Sequence, residues 1–160
     1  MTTLVLMRHG VAEPDNPGGD GARRLTESGL ERAGQAAAGL VALGIRPDLV
    51  VSSPLIRCLQ TARLVADRAG CALEDDIRLA PGMTAADLLD IVLEHPDHDI
   101  IVACSHQPGL TYAVADLTGC DNMPFRRPGA AVITMHSPRL GDGTLVAVLP
   151  PRVLRAAAQG

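Results

Sequence analysis

Apolar residues along the chain fall into short blocks separated by polar, Gly- and Pro-rich stretches, and the blocks switch between two periods. Thr3 to Met7 is an unbroken apolar, partly β-branched run ending at Arg8, which predicts a buried strand. His9 to Arg24, rich in Gly, Pro, Asp and Asn, reads as a loop. Thr26 to Leu43 carries helical spacing, with Leu30, Ala33, Ala37, Leu40 and Val41 on one face and Gly44 as the stop. Asp48 to Val51 is a second strand. Ser53 followed by Pro54 then reads as an N-cap and first helical residue of a helix running to about Ala69, before Gly70. Ala72 to Leu79 predicts a short strand. Thr84, with Asp87 three residues on, resembles a capping box opening a helix to about Glu94. Asp99 to Cys104 is the clearest strand of the chain, Ser105 to Gly109 a turn, and Leu110 to Leu117 a helix. Ala130 to Met135 and Thr144 to Leu149 are strands joined through Gly141-Asp142-Gly143, and Ala156 to Gly160 reads as a frayed end.

Strands alternating with helices predict an α/β fold: a three-layer sandwich whose central sheet is mostly parallel and flanked by helices, with the last two strands as an antiparallel pair at one edge. The 160 residues fit a single domain spanning 1–160. Composition narrows the function. One Phe, one Tyr and no Trp leave an aliphatic core and no means of binding nucleic acid by base stacking. A net charge of −4 argues against a broad nucleic-acid or anionic-membrane surface. The start of the chain lacks a basic segment ahead of its short apolar run, and no apolar stretch reaches membrane-spanning length. The four cysteines are scattered, with neither a CxxC pair nor metal-ligand spacing, and read as free thiols in a reducing compartment. The expectation is a soluble cytoplasmic protein with no metal and no cofactor.

Open parallel sheets bind ligands outside the carboxyl ends of their strands, so the polar residues just after each strand are the ones to weigh. Arg8, His9 and Gly10 follow the first strand. Ser52 and Ser53 follow the second, with Arg57 in the first turn of the next helix. Ser105 and His106 follow the Ile100 strand. Two guanidinium forks suit a tetrahedral dianion, a helix N-terminus adds donors, one imidazole can attack phosphorus, and another can donate to oxygens that gain charge in the transition state. A cation in a helix's first turn opposes the helix dipole, which favours a bound anion as the reason for Arg57. His95 and His98 flank Pro96 in a surface turn without further ligand partners; Cys104 reads as a small core residue, and Arg126-Arg127 as a loop charge pair.

Three stretches carry a family resemblance. Leu6-Met7-Arg8-His9-Gly10, then Ser52-Ser53-Pro54 with Arg57 and Gln60-Thr61-Ala62, then Ser105-His106-Gln107-Pro108 resemble, in order, the motifs of the histidine phosphatase superfamily, which includes the phosphoglycerate mutases. The length and the Arg23-Arg24-Leu25-Thr26-x-x-Gly29 stretch resemble its short bacterial phosphohistidine phosphatases. The resemblance implies a phosphoglycerate mutase-like fold, His9 as nucleophile, Arg8 and Arg57 as phosphate ligands, and His106 completing the pocket. With Gly10 and Ser105 at the same strand ends, it implies a phosphate-binding set of Arg8, Gly10, Arg57, Ser105 and His106.

The expected reaction is phosphate removal through a phosphohistidine intermediate, with a phosphorylated histidine-containing signalling or phosphotransfer protein as substrate. A phosphorylated small metabolite handled by the same mechanism is one alternative, and a phosphate-binding regulatory module without turnover another. One departure bears on the choice. Many superfamily members carry a general-acid Glu after the third strand, where this chain reads Leu79-Ala80-Pro81-Gly82-Met83-Thr84. Glu13 and Asp15 are the candidate substitutes.

Overall fold

The computed structural model describes residues 1–160 and contains the expected three layers. The chain runs through β1 (Thr2–Arg8), α1 (Glu27–Ala42), β2 (Leu49–Ser52), α2 (Ile56–Ala69), β3 (Ala72–Asp75), α3 (Ala85–Glu94), β4 (Ile100–Ser105), α4 (Gly109–Thr118), β5 (Ala130–Met135), β6 (Gly143–Leu149) and α5 (Pro151–Gln159). One six-stranded sheet has the order β3-β2-β4-β1-β5-β6. Its first four strands in that order pair in parallel and the last two antiparallel, as a mostly parallel sheet with an antiparallel edge requires.

Side-chain alternation along the strands sorts the core into two faces. Leu4 and Leu6 of β1 and Ile101 and Ala103 of β4 pack with α3 and α4, whereas Val5, Met7, Val102 and Cys104 pack with α1, α2 and α5. A strand buried on both sides must be apolar throughout, which is why β1 and β4 read as unbroken runs rather than as alternating ones.

Four local expectations change. The buried face of α1 is Gly29, Ala33, Ala36, Ala37, Gly39 and Leu40, while Leu30 is 41% exposed. Small residues occupy this face because the backbones behind it come close. A Cβ at Gly29 would run into the carbonyl of Val11, and one at Gly39 into the carbonyl of Leu154. The helix after β2 begins at Ile56 rather than at Pro54, and Ser53 accepts from the Leu55 amide (3.2 Å) instead of capping it. The strand at Ala72 ends at Asp75. Asp76 then accepts from the Arg78 amide and starts a short 3-10 turn, Ile77–Leu79. The last helix, α5, is the largest correction: residues 151–159 are helical, with Pro151 at its first position and Leu154 fully buried against α1. Thr84 and Asp87 do form the reciprocal capping box.

Gly39→Ala is expected to lower Tm by roughly 10 °C, since neither backbone can yield to the added methyl group. Thermal unfolding followed by circular dichroism checks it, and an unchanged Tm would show that α5 swings free of α1.

Candidate active site

Backbone pairing alone brings the site together. In the β1/β4 ladder Arg8 lies opposite Ser105, so the next residues, His9 and His106, leave the sheet side by side. In the β2/β4 ladder Ser52 lies opposite Cys104, which sets Ser53 at the same edge. After β1 the chain turns to α1 on one face; after β4 it turns to α4 on the other. Connections that part to opposite faces at neighbouring strands open a crevice at the carboxyl edge of a sheet. The two imidazoles flank it, with ring centroids 5.4 Å apart.

Arg57 is the hub of the crevice. Its Nε–H donates to His9 Nε2 (3.3 Å), and Nη2 approaches His106 Nδ1 (3.5 Å). Its outer edge holds Asp20, through Nη1 to the Asp20 carbonyl (2.9 Å) and Nη2 to the carboxylate (3.2 Å). His9, Arg57 and His106 are all buried.

These contacts assign the protons. The Gly10 carbonyl only accepts, so His9 Nδ1, at 2.7 Å, must be its donor, and Nε2 keeps its lone pair toward Arg57. A guanidinium only donates, so His106 Nδ1 accepts and its Nε2–H points to Ser53 Oγ at 2.8 Å. Burial lowers the His9 pKa to about 3, assisted by the nearby charges of His106, Arg57 and Arg8 and opposed by the Gly10 hydrogen bond. The nucleophilic form is therefore the resting form at neutral pH.

The same shift has a stability consequence. Between pH 6.5 and about 3 the unfolded chain carries a proton on His9 that the folded chain refuses, so stability falls as pH drops through that window. By pH 4 the loss from this residue is expected to be on the order of 3 kcal/mol. Urea unfolding at pH 7 and pH 4 should show a steeper decline in the native protein than in His9→Asn. Parallel declines would mean that His9 accepts its proton in the folded state.

Arg8 stands at the other side of the crevice. Its Nη1 donates to the Phe125 carbonyl (2.8 Å), while Nε is buried with no partner. An orphaned guanidinium donor costs free energy unless a ligand meets it, which fits an anion site. Burial, and then the charge of Arg127, lower the Arg8 pKa.

Two members of the expected phosphate-binding set point elsewhere. Ser105 is fully buried and its hydroxyl donates to the Leu79 carbonyl (2.6 Å), so it fastens the 3-10 turn instead of facing the crevice. The Gly10 amide is taken by Thr61 Oγ1 (3.0 Å). Gly10 is a glycine because a Cβ would sit 3.2 Å from the Gly29 carbonyl and 3.3 Å from Leu25, a tight fit against the start of α1 and not room for phosphate. Its part in the site is the carbonyl that holds His9.

The motif residues after Arg57 gain a physical role. Thr61 accepts from Gly10 and donates to the Arg57 carbonyl (2.8 Å), while Gln60 accepts from the Leu25 amide (2.7 Å). They tie α2 to the loops that carry His9 and Thr26. Cys58, one turn before Ala62, places its sulfur 3.5 Å from His106 Nε2, and Cys104 lies in the core as expected.

Asp20 is the site residue that the sequence reading passed over. The Gly- and Pro-rich loop folds back so that its 3-10 turn, Asp20–Ala22, lies against Arg57. Hydrogen bonding from Arg23 holds the Asp20 carboxyl below the usual range, with Arg57 adding to the effect. Glu13 is likewise lowered, first by the Arg24 amide and then by Asn16. Asp15 is exposed, Asp20 occupies the fork of Arg57, and the carboxyls of Glu13 and Asp20 are both held below the usual range.

Residues 4–81 match the family model of the histidine phosphatase superfamily (branch 1). The fold of the chain is shared with a protein histidine phosphatase SixA solved with tungstate, at 26% identity, TM-score 0.86, and coverage of 96% of this chain and 99% of that one. It is shared also with a SixA described as a phosphohistidine phosphatase from Agrobacterium tumefaciens, at 24% identity and TM-score 0.79, covering 94% of this chain and 98% of that one. A phosphoserine phosphatase from Entamoeba histolytica, at 18% identity and TM-score 0.71, covers 96% of this chain and all of its own, 100%. No curated protein matches the chain in sequence. No helix is long and apolar enough to cross a membrane.

Proposed function

We propose that the chain is a phosphatase working through phosphate transfer to His9 Nε2, and that its substrate is phosphohistidine on a signalling or phosphotransfer protein. The observation that carries the reading is His9 itself: a buried neutral imidazole, its Nδ1–H pinned on Gly10, its Nε2 lone pair facing the guanidinium of Arg57. A regulatory module that only binds phosphate has no use for such a nucleophile. Arg57 and the orphaned Nε of Arg8 supply donors for the equatorial oxygens, and a tetrahedral dianion entering the crevice takes the place of the Asp20 carboxylate. His106, with Nδ1 beside Arg57 Nη2, lines the same pocket. The tungstate in the SixA structure is an oxyanion of that shape.

The step balances simply. Nε2 attacks phosphorus and the P–N bond to the substrate's imidazole breaks; that ring, already protonated on its other nitrogen, takes the bonding pair and leaves as neutral imidazole, while the phosphorylated His9 keeps its Nδ1–H. Water then attacks the phosphorus on His9, releasing inorganic phosphate and restoring the free ring.

The chemistry of the leaving group supports this substrate. An ester expels an alkoxide and needs a general acid, whereas the imidazole of phosphohistidine has a conjugate-acid pKa of about 6.5 and leaves without one. With Glu13 and Asp20 both held ionised, the site suits the second leaving group. A series of aryl and alkyl phosphates is therefore expected to show rates falling steeply as leaving-group basicity rises, with a phosphorylated histidine-phosphotransfer domain faster than all of them. A flat series would reveal a working acid and transfer the assignment to a phosphorylated metabolite; Glu13→Gln, Asp15→Asn and Asp20→Asn would then show which carboxylate supplies the proton.

A further inference from the structure

Beside the crevice lies an open groove of about 960 Å³ whose walls are basic out of proportion to an acidic chain. Arg32 of α1, Arg126 and Arg127 of the loop before β5, and Arg152 and Arg155 of α5 line it, with Arg8 at its inner end. None of the groove's lining residues is acidic, and none of these six arginines takes part in an ion pair. All fourteen cations of the chain are arginine, and six of them meet here while its eighteen carboxylates lie elsewhere. Such unpaired clustering costs self-repulsion, so it calls for an anionic partner. Because Arg8 belongs to both, the groove runs on directly from the phosphate site.

We propose that this groove docks an acidic segment of the protein that carries the phosphorylated histidine, its Asp and Glu side chains forking onto the arginines while the phosphohistidine reaches His9. This deepens the reading above and rests on it for the identity of the substrate. Guanidinium forks match carboxylates bidentately. The floor of the groove is apolar, with Val148 42% exposed beside Leu149. A polyphosphorylated metabolite would leave that floor wet, whereas a protein segment mixing carboxylates and aliphatic side chains covers both. Nucleic acid fits poorly, since Phe125 is buried and Tyr112 belongs to another hollow, leaving no aromatic platform. The groove is also rigid: α5 is seated through Leu154 on Gly39 of α1, which fixes Arg152 and Arg155 opposite Arg32.

The test uses the whole chain and the triple variant Arg32→Gln, Arg152→Gln, Arg155→Gln. The direct probe is a fluorescein-labelled peptide of alternating Glu and Leu, read by anisotropy, with a Gln/Leu peptide as control. The native chain should bind the acidic peptide alone, lose it as salt rises from about 50 to about 500 mM, and bind it about tenfold or more better than the variant. On a phosphorylated histidine-phosphotransfer domain the variant should show a KM raised about tenfold with kcat little changed, while p-nitrophenyl phosphate turnover stays within about twofold. No binding of the acidic peptide by the native chain, or equal binding by the variant, overturns the proposal. Loss of binding to phosphatidylglycerol vesicles, with the peptide unaffected, overturns it in favour of a lipid surface. Peptide binding that depends on the arginines, without any turnover of phosphohistidine, upholds the groove and overturns the substrate.

Discussion

Replacing His9 with alanine is expected to lower turnover by on the order of 10⁴-fold or more while leaving the fold in place, because removal of a covalent nucleophile abolishes the pathway instead of slowing it. Nothing in the sheet depends on the ring. Its two bonds, to its neighbour's carbonyl and from Arg57 Nε–H, both lie outside the sheet, and its burial forbids a charge, so the variant should unfold near the native Tm at pH 7. A rapid quench that avoids acid, followed by peptide mapping, should find phosphate on His9 of the native enzyme during turnover and none on the variant. Phosphate mapped to His106, or turnover surviving in His9→Ala, would end the proposed mechanism.

Arg57→Lys should cost on the order of 10²–10³-fold in kcat although the charge is kept. The guanidinium reaches His9, Asp20 and His106 at once from three nitrogens held in one plane. An ammonium on a flexible stem can satisfy one of these directions at a time. Since the donors strengthen their hold as charge spreads over the phosphoryl oxygens, the loss should appear in kcat as well as in KM. Full activity in Arg57→Lys would reduce Arg57 to a point charge and remove the argument from its geometry.

What the sequence made legible was whatever depends on short-range pattern. The strands β1 and β4 stand out because burial on both faces demands unbroken apolar runs, and the residues at their ends, His9 and His106, are then brought together by any parallel pairing. Side-chain direction is another matter. Ser105 sits at a strand end like His106, yet faces the Leu79 carbonyl, because successive residues leave a strand on opposite faces. Asp20 could not be found by periodicity: it acts on a residue 37 positions away, out of a loop whose only local cue is Arg23 three residues on. The last helix was hidden because the end of the chain, Ala156 to Gly160, reads on its own as frayed, although a proline at the first helical position, as at Pro151, is a helix start. Leu154 at its centre, facing Gly39, was the available sign.

The order of the strands has a bearing on how the protein comes into being. β1 and β2 share no hydrogen bonds; both pair with β4, which is the fourth strand made and the one that separates them. A nascent chain that has emerged only through β3 therefore lacks the strand that sets the spacing between the end of β1, which His9 follows, and the end of β2, which leads to Arg57 on α2. The two motifs become an enzyme in the moment that β4 inserts, and the same insertion delivers His106. Prematurely terminated chains, however well their first half collapses, should be inert toward phosphorylated proteins, and two separately made pieces broken between α3 and β4 should recover activity only when mixed.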